Sequence, residues 1–314
     1  MGDELSVRLV DAINAVAGVH AGHRAVHAKG TCATGTFTAS AGAAKLSRAA
    51  HFQNDPVPVT VRFSNGGGNP GAHDGDQDGR GMAVKFHLPD GSSTDIVSLT
   101  LPIFFVRTPE AFLEFMAARV PDPETGAPDM EKVGAFLADH PEAHAAVGLS
   151  LAAAPPASYA QLRYHSVHAF RLLDHAGEGR FVRYRIDPEA GEATLTNEEA
   201  QALPSGYLAE ELASRCAAGP VAFTLFAQLA GEGDPTDDPT AAWPDEREVV
   251  ELGRIELTEA TGAGCEGMVF DPTNVTDGIE CSDDKILHAR SGAYSVSYAR
   301  RNDVSNRVPG ATTS

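Results

Sequence analysis

Val57-Pro-Val-Thr-Val-Arg-Phe-Ser64 alternates without a break: Val57, Val59, Val61 and Phe63 fall on one side, and Thr60, Arg62 and Ser64 on the other. That is the period of a β-strand, and its polar face carries a guanidinium and two hydroxyls. Comparable runs bounded by Gly, Pro, Asp or Asn occur at 81–88, 166–172, 181–186, 221–230 and 248–257, long enough for a barrel or a curled antiparallel sheet. Helices are signalled between them. Thr108-Pro109-Glu110 offers an N-cap, a first-turn proline and an acidic first turn ahead of Phe112, Phe115 and Met116 on one face. Segments 129–139 and 207–217 read the same way, and 282–301 lacks proline, with Gly292 as its weak point. Leu5, Leu9, Ile13 and Val16 predict an amphipathic helix within 1–19. The fold class is therefore α+β with an antiparallel core. With no internal repeat and no Pro/Gly-rich linker, one domain over 1–314 is expected, with 303–314 as a flexible tail.

The 314 residues are 42% hydrophobic and 21% charged, the composition of a folded globule. Lys and Arg number 24 against 43 Asp and Glu, a net charge of −19 that repels polyanions and argues against a nucleic-acid or anionic-membrane partner. An anionic ligand must therefore meet locally placed arginines. No apolar run reaches the roughly 18 to 20 residues of a membrane span, and the first residues read as an amphipathic helix instead of a signal peptide, so the cytoplasm is the expected compartment. Cys32, Cys216, Cys265 and Cys281 show no C-x-x-C spacing and are expected to be reduced, mostly buried thiols.

Two motifs are decoys. Gly66-Gly-Gly-Asn-Pro-Gly71 satisfies G-x-G-x-x-G after a strand, but Ala-His-Asp-Gly-Asp-Gln-Asp-Gly follows, which cannot start the apolar helix that holds a pyrophosphate. Asp74-x-Asp76-x-Asp78-Gly79 opens like a calcium-binding loop, but its twelfth position is Lys85, so a solvated acidic turn is expected.

The segments that carry chemistry lie at the two ends of the chain: Arg24-Ala-Val-His-Ala-Lys-Gly30, and Arg290-Ser-Gly-Ala-Tyr-Ser-Val-Ser-Tyr-Ala-Arg-Arg301, where a helix would put Arg290 and Tyr294 one turn apart on a face to which Arg301 returns. Alone, each reads as ordinary surface or core. Together with Val61-Arg-Phe-Ser64, Asp78-Gly-Arg-Gly-Met-Ala-Val-Lys-Phe86, Asp95-Ile-Val97, Pro102-Ile-Phe-Phe-Val-Arg107, Ser166-Val-His-Ala-Phe-Arg-Leu172, Trp243-Pro244, Phe270-Asp-Pro-Thr-Asn274, Gly278-Ile279 and Asp284-Lys285, they run in an order that resembles the haem catalase superfamily over residues 20–302. The nearest resemblance is to its short members, the catalase-related peroxidases.

The resemblance implies a catalase-like antiparallel β-barrel with surrounding helices, a C-terminal helix that binds haem b, and a place for each residue. Tyr294 matches the tyrosine that ligates the iron. A phenol is a poor ligand at neutral pH unless a cation favours the phenolate, and Arg290 would be that cation. His27 matches the distal histidine, which takes a proton from peroxide and returns it to the leaving oxygen. Ser64 matches the serine that orients the imidazole, Arg24, Arg62 and Arg301 the arginines that hold the propionates, and Phe112 the aromatic distal wall. Val26 precedes the histidine, where the family's allene oxide synthases have threonine.

Departures from the family pattern shape the functional expectation. Aligning Asp95 and Pro102 puts Thr100 where large catalases have the asparagine that helps orient peroxide. The segment after Tyr294 keeps only its last arginine, and the N-terminal arm and C-terminal extension of large catalases have no counterpart. The resemblance thus implies a haem peroxidase that reduces hydrogen peroxide or organic hydroperoxides through a ferryl state and oxidises a small organic donor, with weak catalase activity, as a homo-oligomer (dimer or tetramer). A true small catalase, a hydroperoxide-rearranging enzyme and a non-enzymatic haem carrier are the alternatives. His20, His23, His73, His87, His165 and His168 receive no role.

Overall fold

The computed structural model describes residues 2–303. In chain order the elements are α1 (Gly2–Ala17), β1 (Gly30–Ala39), α2 (Ala43–Leu46), β2 (Val57–Asn65), β3 (Arg80–His87), β4 (Ser93–Leu99), α3 (Pro109–Ala118), α4 (Met130–Asp139), α5 (Ala143–Ala152), β5 (Tyr164–His165), β6 (Phe170–Leu173), β7 (Gly179–Pro188), α6 (Asn197–Gln201), α7 (Tyr207–Ala218), β8 (Val221–Leu229), β9 (Val249–Gly262), β10 (Ile279–Cys281) and α8 (Lys285–Asn302). Eight strands close an antiparallel barrel in the order β8-β9-β1-β2-β3-β4-β5-β7, with β7 returning to β8, while β6 and β10 extend from β7. The α+β expectation holds. No helix among the described residues is long and apolar enough to cross a membrane. Of the expected tail, 304–314 lies outside the described residues.

Closure is what the apolar face of β2 requires. Val57, Val59, Val61 and Phe63 are at most 2% exposed and meet Phe86, Tyr164, Phe223 and Ile255 inside the barrel. The hydrophobic effect drives this collapse, and closing the ring removes sheet edges. A second apolar layer, with Ile13, Val106, Phe115, Phe136 and Ile286, packs helices α1, α3, α4 and α8 together. Thr108 caps α3, its side chain accepting from the Ala111 amide, with Pro109 in the first turn. Gly292 in α8 is a close-approach position: a Cβ there would lie 2.1 Å from Ser6 Oγ on α1.

Several expectations need correction. Of the run 166–172 only 170–172 is strand, in β6, and β5 lies just before the run; between them Ser166 makes its own closure with Tyr184: the Tyr184 amide donates to Ser166 Oγ (2.8 Å) and the Ser166 amide to the Tyr184 carbonyl (2.8 Å). β1, unsignalled because its residues are small, joins β2 to β9. The cysteines are not all thiols: Cys32 and Cys265 form a disulfide, while Cys216 and Cys281 are free. Cys32 pairs with Gly262 at the end of β9, and the turn that follows returns Cys265 to it, 5.8 Å between Cα atoms, within bridging range. The acidic turn is not simply solvated either. It winds around Arg80, 2% exposed, whose guanidinium donates to the carbonyls of Asp74, Asp76, Asp78 and Gly79, and Asp74 is itself buried and paired with Lys29.

His51 is fully buried against Phe52 and Phe86, and neither ring nitrogen has a hydrogen-bond partner among the described residues. Burial lowers its pKa to about 3. The unfolded chain therefore binds a proton at this site below about pH 6.5 that the folded chain refuses, so the site's contribution to stability is complete above pH 6.5 and is lost as pH falls. In urea titrations between pH 4 and 6, His51→Leu is expected to reduce the pH slope of the unfolding free energy by about 1.4 kcal/mol per pH unit; an unchanged slope contradicts this.

Candidate active site

The face of β2 opposite the barrel core, with its neighbours β3 and β4, forms one wall of a cavity; α1 and α8 form the other. The polar alternation of β2 puts Arg62 and Ser64 on that wall. Their cross-strand neighbours are small: Gly30 and Cys32 on β1, Gly81 and Ala83 on β3. Gly81 is required by space, since a Cβ there would stand 3.0 Å from His27 Cε1 and Nδ1 and 2.9 Å from Ser64 Oγ.

His27 precedes β1 in a left-handed backbone conformation, φ 52°, a strained state that persists only where neighbours fix it. The glycine run does so: the His27 and Ala28 amides donate to the carbonyls of Gly66 and Gly67 (3.1 Å each). The apparent nucleotide motif is thus the backing of the His27 turn. His27 Nδ1 lies 3.0 Å from Ser64 Oγ. Burial, then Arg62 and Arg290, lowers the His27 pKa to about 3, so the ring is neutral at working pH.

Across the cavity, α8 contributes Tyr294, Ser297 and Arg301. Arg290, one turn before Tyr294, donates to its phenol oxygen from Nε (3.0 Å) and Nη2 (2.5 Å). Arg290 is itself held from behind. Its Nη1 donates to His168 Nε2 (2.9 Å), and His168 Nδ1 lies 2.6 Å from Asp284 Oδ2, both residues being 1% exposed. A guanidinium only donates, so Nε2 accepts and Nδ1–H points to Asp284. Burial, against the raising effect of the Asp284 hydrogen bond and together with the nearby Arg290, lowers the His168 pKa to about 4. Asp284 also caps α8, accepting from the amides of Ile286 and Leu287. Neither residue was assigned from sequence, although both lie in the quoted segments.

Arg24, Arg62 and Arg301 converge at one side. Burial, then the nearness of Arg62 and Arg301, pushes the Arg24 pKa down to about 8, and burial lowers Arg62 to about 10. Among the described residues, Arg62 Nη2 is buried without a partner. Glu266, which sequence reading missed, bonds both Arg24 and Arg62.

Two sequence-predicted residues fall elsewhere. Thr100 does not line the cavity: its Oγ1 accepts from the Arg80 amide (3.0 Å), closing the end of the β3–β4 ladder, and Leu99 takes the wall position. Phe112 stacks with Phe104 and Phe105 in the helical layer, away from the cavity lining, where Val26 stands. His27, Ser64, Arg24, Val26, Arg62, Tyr294 and Arg301 are brought together, with Arg290 behind Tyr294.

Known proteins bear on this arrangement. The family model Catalase matches residues 6–307. The chain belongs to the catalase family. It is 40% identical over 297 residues to a catalase-related peroxidase of Synechococcus elongatus, covering 94% of this chain and 88% of that one. It is 42% identical over 299 residues to one of Mycolicibacterium paratuberculosis, covering 94% of each. Catalase A from Saccharomyces cerevisiae superposes with a TM-score of 0.81 at 26% identity, over 89% of this chain, which spans 61% of the yeast chain. Family membership implies a haem cofactor, and the residues fit one: the cavity is lined by a phenol oxygen that a cation holds and by an arginine with a buried donor open to a carboxylate.

In imidazole-labelled protein, the His27 NMR signals are expected to stay at neutral-ring values from pH 8 to pH 5, and Ser64→Ala to remove the fixed Nδ1 signature. A His27 titration centred near pH 6.5 contradicts the geometry.

Proposed function

We propose that this chain is a haem peroxidase of the catalase family, which reduces hydrogen peroxide or an organic hydroperoxide and oxidises a small organic donor. The observation that supports it most is a single cavity lined by both the His27–Ser64 pair and Tyr294, whose oxygen is held by Arg290. The cofactor is proposed to be haem b: Tyr294 would ligate its iron, Arg290 would favour the phenolate, and Arg24, Arg62 and Arg301 would receive the propionates. The whole of 1–314 is proposed to act as one such unit, and as a homo-oligomer. The cytoplasm stays the proposed compartment, and the Cys32–Cys265 bond would then be of the redox-responsive kind found in reducing compartments.

A bound haem supplies the redox-active iron at which the peroxide O–O bond breaks. The protein's part is proton movement and orientation. With Nδ1–H donating to Ser64 Oγ, Nε2 of His27 is the free base; it accepts the peroxide proton and returns it to the departing oxygen, which leaves as water or an alcohol. A ring with its pKa near 3 is unprotonated at any physiological pH, which leaves Nε2 free to accept. The Asp284–His168–Arg290 chain keeps Arg290 aimed at Tyr294.

The lining also bears on peroxidase against catalase. Among the described residues, no amide side chain lines the cavity, and Val26, Leu99, Met82 and Ile13 make its walls apolar. That favours turnover with organic peroxides and donors over rapid dismutation of hydrogen peroxide.

Reconstituted with haem, the protein is expected to oxidise a phenolic donor faster than it releases oxygen from hydrogen peroxide. His27→Ala is expected to keep its haem spectrum and lose about 10²- to 10⁴-fold in donor oxidation. Dominant oxygen release overturns the peroxidase reading, and undiminished turnover in His27→Ala overturns the role of His27.

A further inference from the structure

Glu266 sits in the turn that follows β9 and bonds two of the three arginines at the cavity side. Its Oε1 accepts from Arg62 Nε (2.7 Å) and its Oε2 pairs with Arg24 Nη1. The same turn offers its carbonyls: Arg24 Nη2 and Arg301 Nη2 each donate to the Met268 carbonyl, at 3.0 and 3.1 Å, and to that of Glu266, at 3.4 and 3.5 Å. The residue before Glu266 is Cys265, tied to β1 by the disulfide. That bond lies in an apolar cluster with Phe270, Ala83 and Val97, three residues that also line the cavity.

Charge shows what this turn is for. Three guanidiniums are gathered from positions 24, 62 and 301, and even with their pKa values lowered Arg24 and Arg62 stay mostly charged at neutral pH. Among the described residues, one Glu266 carboxylate leaves two of the three positive charges uncompensated. Donors remain as well: Arg62 Nη2 is buried and unpartnered while Nε is on Glu266, so a second carboxylate can bind without displacing the first.

We propose that Glu266 is a positioning residue for the cofactor: it holds Arg24 and Arg62 in place for the haem propionates and completes a neutral set of three cations and three carboxylates. The Cys32–Cys265 bond fixes the turn so that Glu266 stays on the arginines instead of swinging into solvent. Glu266 touches the arginines and acts through them, at no point on the reacting peroxide. This rests on the haem reading above.

The test is the rate of haem loss from the full-length holoprotein to excess apomyoglobin, for wild type, Glu266→Gln, Glu266→Asp and the exposed control Glu259→Gln. Each is loaded either with haem or with its dimethyl ester, which has no propionate charge. With haem, Glu266→Gln is expected to lose cofactor about tenfold faster, the loss of one charge-assisted contact. Glu266→Asp should fall between it and wild type, and Glu259→Gln should match wild type. With the dimethyl ester the difference between Glu266→Gln and wild type should vanish. Equal or slower haem loss in Glu266→Gln overturns the proposal, as does an equal acceleration with the dimethyl ester, which is the mark of a merely structural role. Failure of wild type to take up haem at all is a different result and overturns the haem reading itself.

Discussion

A guanidinium taken out of water must be met by acceptors and counter-charge, and Arg62, 4% exposed on a strand buried along both sides, imposes that constraint on this molecule. Its neighbours follow from it. Small residues on β1 and β3 leave room beside it, a turn 204 positions later in the chain brings Glu266 to its Nε, and Arg24 and Arg301 share the same acceptors. Arg62 Nη2, buried, has no partner among the described residues. A structure that carries such an orphan at the edge of a cavity is prepared for an anionic ligand, and an acidic chain that gathers its scarce arginines there has placed them for binding rather than for solubility.

The rest of the site is arranged by the same economy of buried polar groups. His27 is neutral because it is buried among cations, and neutrality makes it a base. Arg290 is oriented by a histidine whose tautomer is set by Asp284, and Asp284 in turn starts the helix that carries Arg290 and Tyr294. One carboxylate therefore fixes both the helix and the side chain that serves its tyrosine. The barrel supplies rigidity: its closed ring fixes the register of β2 against β3, so that Gly81 falls opposite Ser64 and clears space for the imidazole.

Much of this was legible in the chain. The alternation of 57–64 gave a strand with a polar face, and both faces have a job. Tyr294 and Arg290 were readable as a one-turn pair, and the motif order placed His27 and the arginines. What stayed hidden depended on contacts distant in sequence. Cys32 and Cys265 are 233 positions apart and carry no spacing signal, and Glu266 is one of many acidic residues until a turn lays it on Arg62. Thr100 and Phe112 were misplaced for another reason: motif alignment fixes position along the chain, whereas the side chain's direction is set by where β4 ends and by which face of α3 packs. His168 stood inside a quoted segment, and only its contacts with Asp284 and Arg290 distinguish it from an ordinary buried histidine.

The central claim is that Tyr294, held by Arg290, ligates the iron of a haem bound in this cavity. The most direct measurement is the absorption and electron paramagnetic resonance spectrum of the haem-loaded protein beside Tyr294→Phe. The account predicts a high-spin ferric tyrosinate signature in the wild type that is lost in the variant. An identical signature in both proteins, or none in the wild type, contradicts it.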